Sequence, residues 1–289
     1  MEWDLLINAL VSGLMLGGFY AAVAVGVTIS FGMLDVVNIA HPAFIVLGAF
    51  MVYLLNNKFG IDPLVASALF VPVAFVLGRV LYRLYYVLFE RTGEEALQGL
   101  AFFFGILFMV EVCLLMAFGV DYRFVDAPYI DSSFSFGLVL IQMRLLISLV
   151  VGVAMVAAIH FFLTRSYKGL AILAVSQDPS ALRLVGGNPI RIKEIGFGLA
   201  IATAIIAGAL LIIIQPVEPS LGREFIGRAF AICVLGGMTS VAGTLVAAMI
   251  LGLAESVTMT FFGPSWAPAI AFGILTLTLA IRPAGIFGR

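Results

Sequence analysis

The sequence predicts an all-α protein, a polytopic bundle of transmembrane helices. Hydrophobic residues make up 63% of its 289 residues, charged residues only 11%, and the mean hydropathy is +1.19. Soluble domains are only about half apolar. Apolar runs recur from end to end, and we find no alternation of apolar and polar residues that would indicate strands. The composition therefore excludes an ordinary soluble domain and favours membrane helices.

Nine apolar runs follow one another along the chain. Eight are long enough, at about 1.5 Å per residue, to cross roughly 30 Å of hydrocarbon. The ninth is too short to cross alone. We therefore expect eight spans plus one broken or half-helix packed inside the protein, where irregular backbone is tolerated. The long runs cover residues 5–31, 36–55, 63–89, 97–118, 138–163, 195–214, 241–262 and 266–281, and the short run covers 227–235.

Two hydrophilic stretches between the runs differ in charge. Residues 164–194 carry five basic side chains against two acidic ones, whereas residues 119–137 carry three aspartates against one arginine. Loops on the cytoplasmic side of a membrane are enriched in Lys and Arg. We therefore expect the first stretch to be cytoplasmic and the second to be external.

The apolar pattern is interrupted at corresponding places in two related halves. The first interruption, at 31–42, reads FGMLDVVNIAHP, and the second, at 235–243, reads LGGMTSVAG. Such paired breaks indicate a midplane site, because broken helices free backbone N–H and C=O groups for a polar solute. Ordinary loops or close-packing glycines are the alternative. The candidate pathway residues are Asp35, Asn38, His41, Gly236, Gly237, Thr239 and Ser240.

Spacing relates three of these candidates to one another. Asn38 lies three residues before His41 and Asp35 six residues before it. A helical backbone would stack the three side chains near one face. They would then either line a pathway or lock the helix break.

The charges inside apolar runs need partners. Glu111, Glu255 and Arg228 lie in or beside such runs, and an unpaired charge in hydrocarbon costs several kcal/mol. We expect these side chains to face the bundle interior or a subunit interface, with Glu224 and Arg228 paired at i, i+4. If Glu111 and Glu255 instead relayed protons, the chain would be an ion-coupled transporter.

Enzyme and metal sites are not indicated. His41 and His160 are far apart in the sequence, and Cys113 and Cys233 lie inside apolar runs, where cysteine is usually a packing residue. No GxxxxGK[ST] loop is present, so ATP is not bound by that route. No basic face suits nucleic acid. We expect no catalytic residue, metal or cofactor in this chain.

The basic stretch contains a short helix, at 178–186, with a signal at each end. Asp178 suits the N-cap, Pro179 suits the first helical position, and Gly186 suits a left-handed stop. A helix this short is not stable alone in water. A plain connection would rarely need residues 164–194. We expect the helix to dock on a partner outside the membrane; a merely solvated loop is the alternative.

Three groups of motifs resemble the permease family of branched-chain amino acid ABC transporters. AVSQDP at 174–179, with LVG at 184–186, resembles its cytoplasmic coupling region. VNIAHPAF at 37–44, followed by LGAF at 47–50, resembles its first-half signature. AF at 229–230, VLGG at 234–237, Gly243 and RPAGIFG at 282–288 resemble its second half. The similarity covers nearly the whole chain, but Pro42 stands where the family usually has glycine, so the substrate could differ.

The resemblance implies a single transmembrane permease domain, residues 1–289, of the smaller, high-affinity type, in a bacterial-type inner membrane. It would move a small polar solute inward, such as a branched-chain or other amino acid. Two cytoplasmic ATPases would bind ATP and Mg, a second related permease would complete the hetero-oligomer, and an external protein would deliver the solute. The alternatives are a urea, amide, small-carboxylate or ribose-type permease, or an ion-coupled transporter. The implied coupling residues are Gln177, Asp178, Pro179, Ser180, Arg183, Leu184 and Gly186.

Overall fold

The computed structural model describes residues 2–92, 95–137 and 139–288, and over these residues the fold is almost entirely α-helical. Eight helices are long and apolar enough to cross a membrane, which confirms the predicted number of spans. The short run is also present as a separate helix, α9. The helices are α1 (Glu2–Val27), α2 (His41–Phe59), α3 (Pro63–Leu88), α4 (Glu95–Phe118), α5 (Met143–Arg165), α6 (Tyr167–Gln177), α7 (Pro179–Leu184), α8 (Pro189–Ile214), α9 (Gly222–Gly236), α10 (Val241–Phe262) and α11 (Ala267–Ile281).

Several helices begin at a proline or at a polar cap. The Asp62 carboxylate accepts a hydrogen bond from the Leu64 N–H at 2.8 Å, directly before α3. The Ser240 hydroxyl accepts one from the Gly243 N–H at 3.0 Å, at the start of α10. These side chains satisfy N–H groups that have no partner within the helix.

The core forms around α1, α2 and α8, most of whose residues are buried. Small residues allow close contact between helices. A Cβ added to Gly13 of α1 would lie 2.8 Å from the Gly252 carbonyl oxygen of α10. Similarly, a Cβ on Gly78 of α3 would lie 2.8 Å from the Gly198 Cα of α8. In contrast, α3, α4 and α11 expose many large apolar side chains, as lipid-facing helices do.

The all-α fold class is confirmed, and the expected external stretch adds a small β-hairpin that the apolar pattern did not indicate. Ser133–Phe136 (β1) pairs antiparallel with Val139–Gln142 (β2). The Leu140 N–H donates to Asn8 Oδ1 at 2.8 Å, which fastens the hairpin to α1. Strands this short leave little periodic signal. The fifth span was predicted from residue 138, which lies outside the described residues; it begins instead at Met143, after β2.

The basic stretch is more helical than predicted. The α5 helix continues to Arg165, α6 and α7 follow, and α8 starts at Pro189, six residues before the predicted start of that span. Side-chain caps explain why α6 forms and why α8 begins early. The Ser166 hydroxyl accepts from the Gly169 N–H at 2.9 Å, and Asn188 Oδ1 accepts from the Arg191 N–H at 3.3 Å.

Candidate functional site

The first interruption is not helical between residues 34 and 40. The first span ends in a π-helical segment, Thr28–Met33, and regular helix resumes only at His41. Asp35 has a positive φ of 57°, and its side chain is exposed. Asn38 is 1% and His41 0% exposed. The predicted helical stacking of these three side chains was therefore wrong, because the left-handed residue turns the chain out of the helix.

Asn38 and His41 are buried polar side chains that lack well-aligned hydrogen bonds. Neither the Asn38 amide nor either imidazole nitrogen of His41 forms one within the described part of the chain, although the Val23 backbone lies close to the His41 ring. A Cβ added to Gly26 would lie 2.2 Å from the His41 ring and 2.7 Å from the Thr203 hydroxyl. Leaving a buried polar group unpaired costs about 1–3 kcal/mol. Such groups are typical of functional positions.

The second interruption separates α9 from α10. Gly236 packs so tightly that a Cβ there would lie 2.6 Å from the Gly243 carbonyl oxygen. Gly237 has a φ of 93°, a conformation that glycine adopts readily. The Ser240 hydroxyl is engaged as the cap of α10, and Thr239 is exposed. The sharp turn thus depends on its two glycines.

The two interruptions are in direct contact. A Cβ added to Gly32, in the π-helical segment, would lie 1.5 Å from the Met238 carbonyl oxygen. Close by, the Thr28 and Thr244 hydroxyls form a buried hydrogen bond of 2.7 Å. The two interruptions therefore lie together in the structure. The imidazole of His41 lies elsewhere, beside Gly26 and α8.

The C-terminal motif closes the second interruption, a role that the sequence did not reveal. The Ile286 N–H donates to the Leu235 carbonyl oxygen at 2.8 Å, at the end of α9. Gly285 has a φ of 77°, and a Cβ there would lie 2.5 Å from the Gly237 nitrogen. The sequence signal for this role was the proline and glycines of RPAGIFG, because these residues allow the chain to fold back tightly against the end of α9.

The predicted capped helix is present as α7. Asp178 Oδ1 accepts hydrogen bonds from the Ser180 and Ala181 N–H groups at 2.7 and 3.0 Å. Gly186 has a φ of 83° and ends the helix. Leu182 is buried. The predicted coupling residues are all exposed; they are Gln177, Asp178, Pro179, Ser180, Arg183, Leu184 and Gly186.

Contacts connect this region to the membrane helices. The α6 helix packs against both the π-helical segment and α8. At the start of α8, Lys193 Nζ lies 2.7 Å from Glu90 Oε1, and Glu194 lies 3.6 Å from Arg79. The Tyr82 hydroxyl donates to Glu90 at 2.6 Å. A continuous set of contacts therefore runs from α7 and α6 to α8 and the first interruption.

A buried ion pair joins α9 to α10. Arg228 Nε lies 3.0 Å from Glu255 Oε1, and the Tyr20 hydroxyl donates to the other carboxylate oxygen. The interior position expected for Glu255 is confirmed. The predicted pairing of the Arg228 and Glu224 side chains was wrong, since Arg228 reaches only the Glu224 backbone oxygen, at 3.2 Å. The fully buried Glu255 carboxylate needs the cation more than the exposed Glu224 does.

A second ion pair, which the sequence did not predict, joins α4 to α9. Arg223 Nη2 and Nε lie 2.7 and 2.9 Å from the two oxygens of Glu111, in a bidentate arrangement. Glu111 is 7% exposed, as expected for an interior or interface position. Both membrane carboxylates are therefore held by arginines. Within the described residues, no group of three or more His, Cys, Asp or Glu side chains could hold a metal.

Known proteins resemble the chain over almost its whole length. BraD of Pseudomonas aeruginosa, a high-affinity branched-chain amino acid transport system permease protein, is 27% identical over 98% of this chain and 96% of its own. LivH of Escherichia coli K12, with the same description, is 27% identical over 96% and 94%. A probable LivH of Methanocaldococcus jannaschii is 24% identical over 92% and 87%. No solved structure gives a significant match.

The family model for the branched-chain amino acid transport system permease component matches residues 9–279. The match includes both interruptions, the capped helix and all eight candidate spans at least in part. The chain belongs to the family of branched-chain amino acid transport system permease components, as its sequence motifs indicated.

Proposed function

We propose that this chain is the permease subunit of an ATP-driven ABC importer that carries branched-chain amino acids inward across the cytoplasmic membrane. The observation that carries the proposal is the full-length similarity to permeases named for the transport of these amino acids. The eight apolar spans supply the membrane domain. The chain is then a transport subunit and not an enzyme.

The pathway in this proposal passes the joined interruptions. Asn38 and His41 offer an amide and an imidazole that form no well-aligned hydrogen bond with another described residue. Such groups both donate and accept hydrogen bonds, so they suit the ammonium and carboxylate of an amino acid. Gly236, Gly237, Thr239 and Ser240 form the turn on the other side of the contact at Gly32. Asp35, being exposed, would meet the solute only at one end of the path.

The energy enters through α7. Its exposed Leu184 and Val185, 89% and 81% exposed, suit a groove on a partner better than contact with water. The partner is one of two cytoplasmic ATPases, which bind ATP and Mg. A second, related permease and an external solute-binding protein complete the importer.

Uptake into proteoliposomes tests this function. The complex is reconstituted with ATP enclosed on the α7 side and the solute-binding protein on the other, and labelled leucine, isoleucine and valine are supplied. We expect uptake that needs both ATP and the binding protein. Uptake driven by a proton or sodium gradient in their absence would contradict the proposal.

Pro42 is the one observation that favours a different solute. It restricts the backbone of His41, the neighbouring candidate residue. Competition by urea, acetamide, small carboxylates and ribose in the same assay identifies the solute class. If the cargo is a branched-chain amino acid, only leucine, isoleucine and valine compete strongly.

A further inference from the structure

The first turn of α9 exposes charged side chains. The Arg223 side chain is 52% exposed, and Glu224 is exposed as well. The Arg223 guanidinium is fixed in position by its two bonds to Glu111 and lies 4.9 Å above the Phe108 ring. Part of each side chain is therefore open to the surroundings of the chain.

Two contacts place this turn well inside the candidate spans, away from their ends. Glu111 precedes the end of α4, at Phe118, by seven residues, or about 10 Å of helix. Phe225 packs against Phe19 with ring centroids 5.7 Å apart. Phe19 follows Trp3, the start of the first span, by sixteen residues, or about 24 Å of helix. Both distances place the turn inside a hydrocarbon layer about 30 Å thick.

Lipid is therefore a poor neighbour for this surface. A charged side chain at the centre of a lipid-exposed helix costs at least about 2.5–3.5 kcal/mol. A free arginine can extend towards the membrane surface, but the bidentate pair with Glu111 holds Arg223 in place. The shorter Glu224 side chain cannot reach far in any case.

The surface also has a recess that suits a partner. A cleft of about 480 Å³ lies between the beginnings of α9 and α11. Arg223 and Arg228 are each paired with a carboxylate, whereas Glu224 has no ion pair with another described residue. Glu224 is therefore the exposed carboxylate of this surface that lacks an ion-pair contact within 4.0 Å, although the Arg228 charge lies near it. The cleft is lined by Arg223, Glu224, Gly227, Arg228, Pro264, Ser265, Pro268 and Phe272, and we call it the α9–α11 cleft.

We propose that a transmembrane helix of the second permease subunit packs into the α9–α11 cleft, with a basic or amide side chain opposite Glu224. The inference rests on the proposed function, which supplies that partner. The ATPases approach from the cytoplasm and the solute-binding protein from outside. Of these three kinds of partner, only the second permease is embedded in the membrane at this depth.

Photo-crosslinking in native membranes tests the interface. Benzoylphenylalanine replaces Phe272, a cleft residue that is 55% exposed. The matched control is Leu69 of α3, which is 57% exposed. Leu69 lies about 9 Å of helix from the end of its span. We expect Phe272 to form an adduct containing peptides of the second permease, and Leu69 to label lipid alone. Labelling of lipid alone from Phe272 would overturn the inference, and so would an adduct with the binding protein.

A substitution supplies a second readout. Loss of one side of an interfacial charge pair typically costs about 2–5 kcal/mol, so Glu224→Leu should reduce co-purification of the second permease at least about tenfold. Glu224→Gln, which keeps hydrogen bonding, should retain more of the second permease.

Equal or greater recovery of the second permease with Glu224→Leu would indicate lipid contact. Normal ATP-driven uptake with lipid-only labelling would reject this interface and keep the function, whereas uptake without ATP would reject the function itself.

Discussion

The hydroxyls of Thr28 and Thr244 are hydrogen-bonded at 2.7 Å, and both residues are fully buried. Thr28 begins the π-helical end of the first span, and Thr244 lies in the first turn of α10. A neutral hydrogen bond of this kind contributes only about 0.5–1.5 kcal/mol. Its position matters more, because it lies beside the contact of the two interruptions at Gly32 and Met238.

Gly32→Ala should separate the two interruptions. The new methyl group would lie 1.5 Å from the Met238 carbonyl oxygen, and overpacking typically costs about 1–3 kcal/mol. We expect a lower midpoint of thermal unfolding in detergent and a large loss of uptake. Gly105→Ala is the matched control, because a Cβ there meets no atom within 4 Å; it should be neutral or slightly stabilising. Normal stability and uptake in Gly32→Ala would show that the contact does not exist.

Asn38→Leu should lower uptake without harming assembly. The amide has no partner among the described residues, so replacing it with an apolar group of similar size should leave the unfolding midpoint unchanged or raise it. Uptake should fall at least about tenfold if one pathway hydrogen bond worth about 1.4 kcal/mol is lost. Ile39→Leu, at the next position, serves as the control for packing. Normal transport by Asn38→Leu would make Asn38 a structural residue only.

The Arg228–Glu255 pair should behave as a buried structural pair. Arg228→Met leaves the fully buried Glu255 carboxylate without its cation, which typically costs about 3–5 kcal/mol. Adding Glu255→Leu should restore most of the unfolding midpoint, since both charges are then gone. Unfolding of the two single variants and the double variant in detergent measures this. If the losses of stability in the two single variants simply add in the double variant, the two side chains do not act as a pair.

Signals that are local in sequence predicted most of the fold. Hydropathy over about twenty residues identified the spans, and Asp178, Pro179 and Gly186 identified α7 because caps act within one turn. The Arg223–Glu111 pair joins residues 112 positions apart, so no local pattern reveals it.

The errors have the same origin. The stacking of Asp35, Asn38 and His41 assumed a helical backbone, yet the chain leaves the helix at Asp35, whose φ is 57°. Glu224 lies close to Arg228 in sequence, but burial of Glu255 decided the pairing. The candidate pathway was thus located by its glycines and prolines, while its internal geometry depended on packing.

The most direct test of the account is the ratio of solute transported to ATP hydrolysed when α7 is disrupted. Asp178→Ala removes the acceptor for two N–H groups, and Gly186→Pro forbids the φ of 83° that ends the helix. Asp178→Asn with Gly186→Asn is the matched control, because asparagine caps helices and tolerates left-handed backbone.

If energy enters through α7, the first double variant will either hydrolyse ATP with at least about a tenfold lower ratio or lose its ATPases on purification, and the control will keep both. Unchanged co-purification together with an unchanged transport ratio in the first variant would contradict the account.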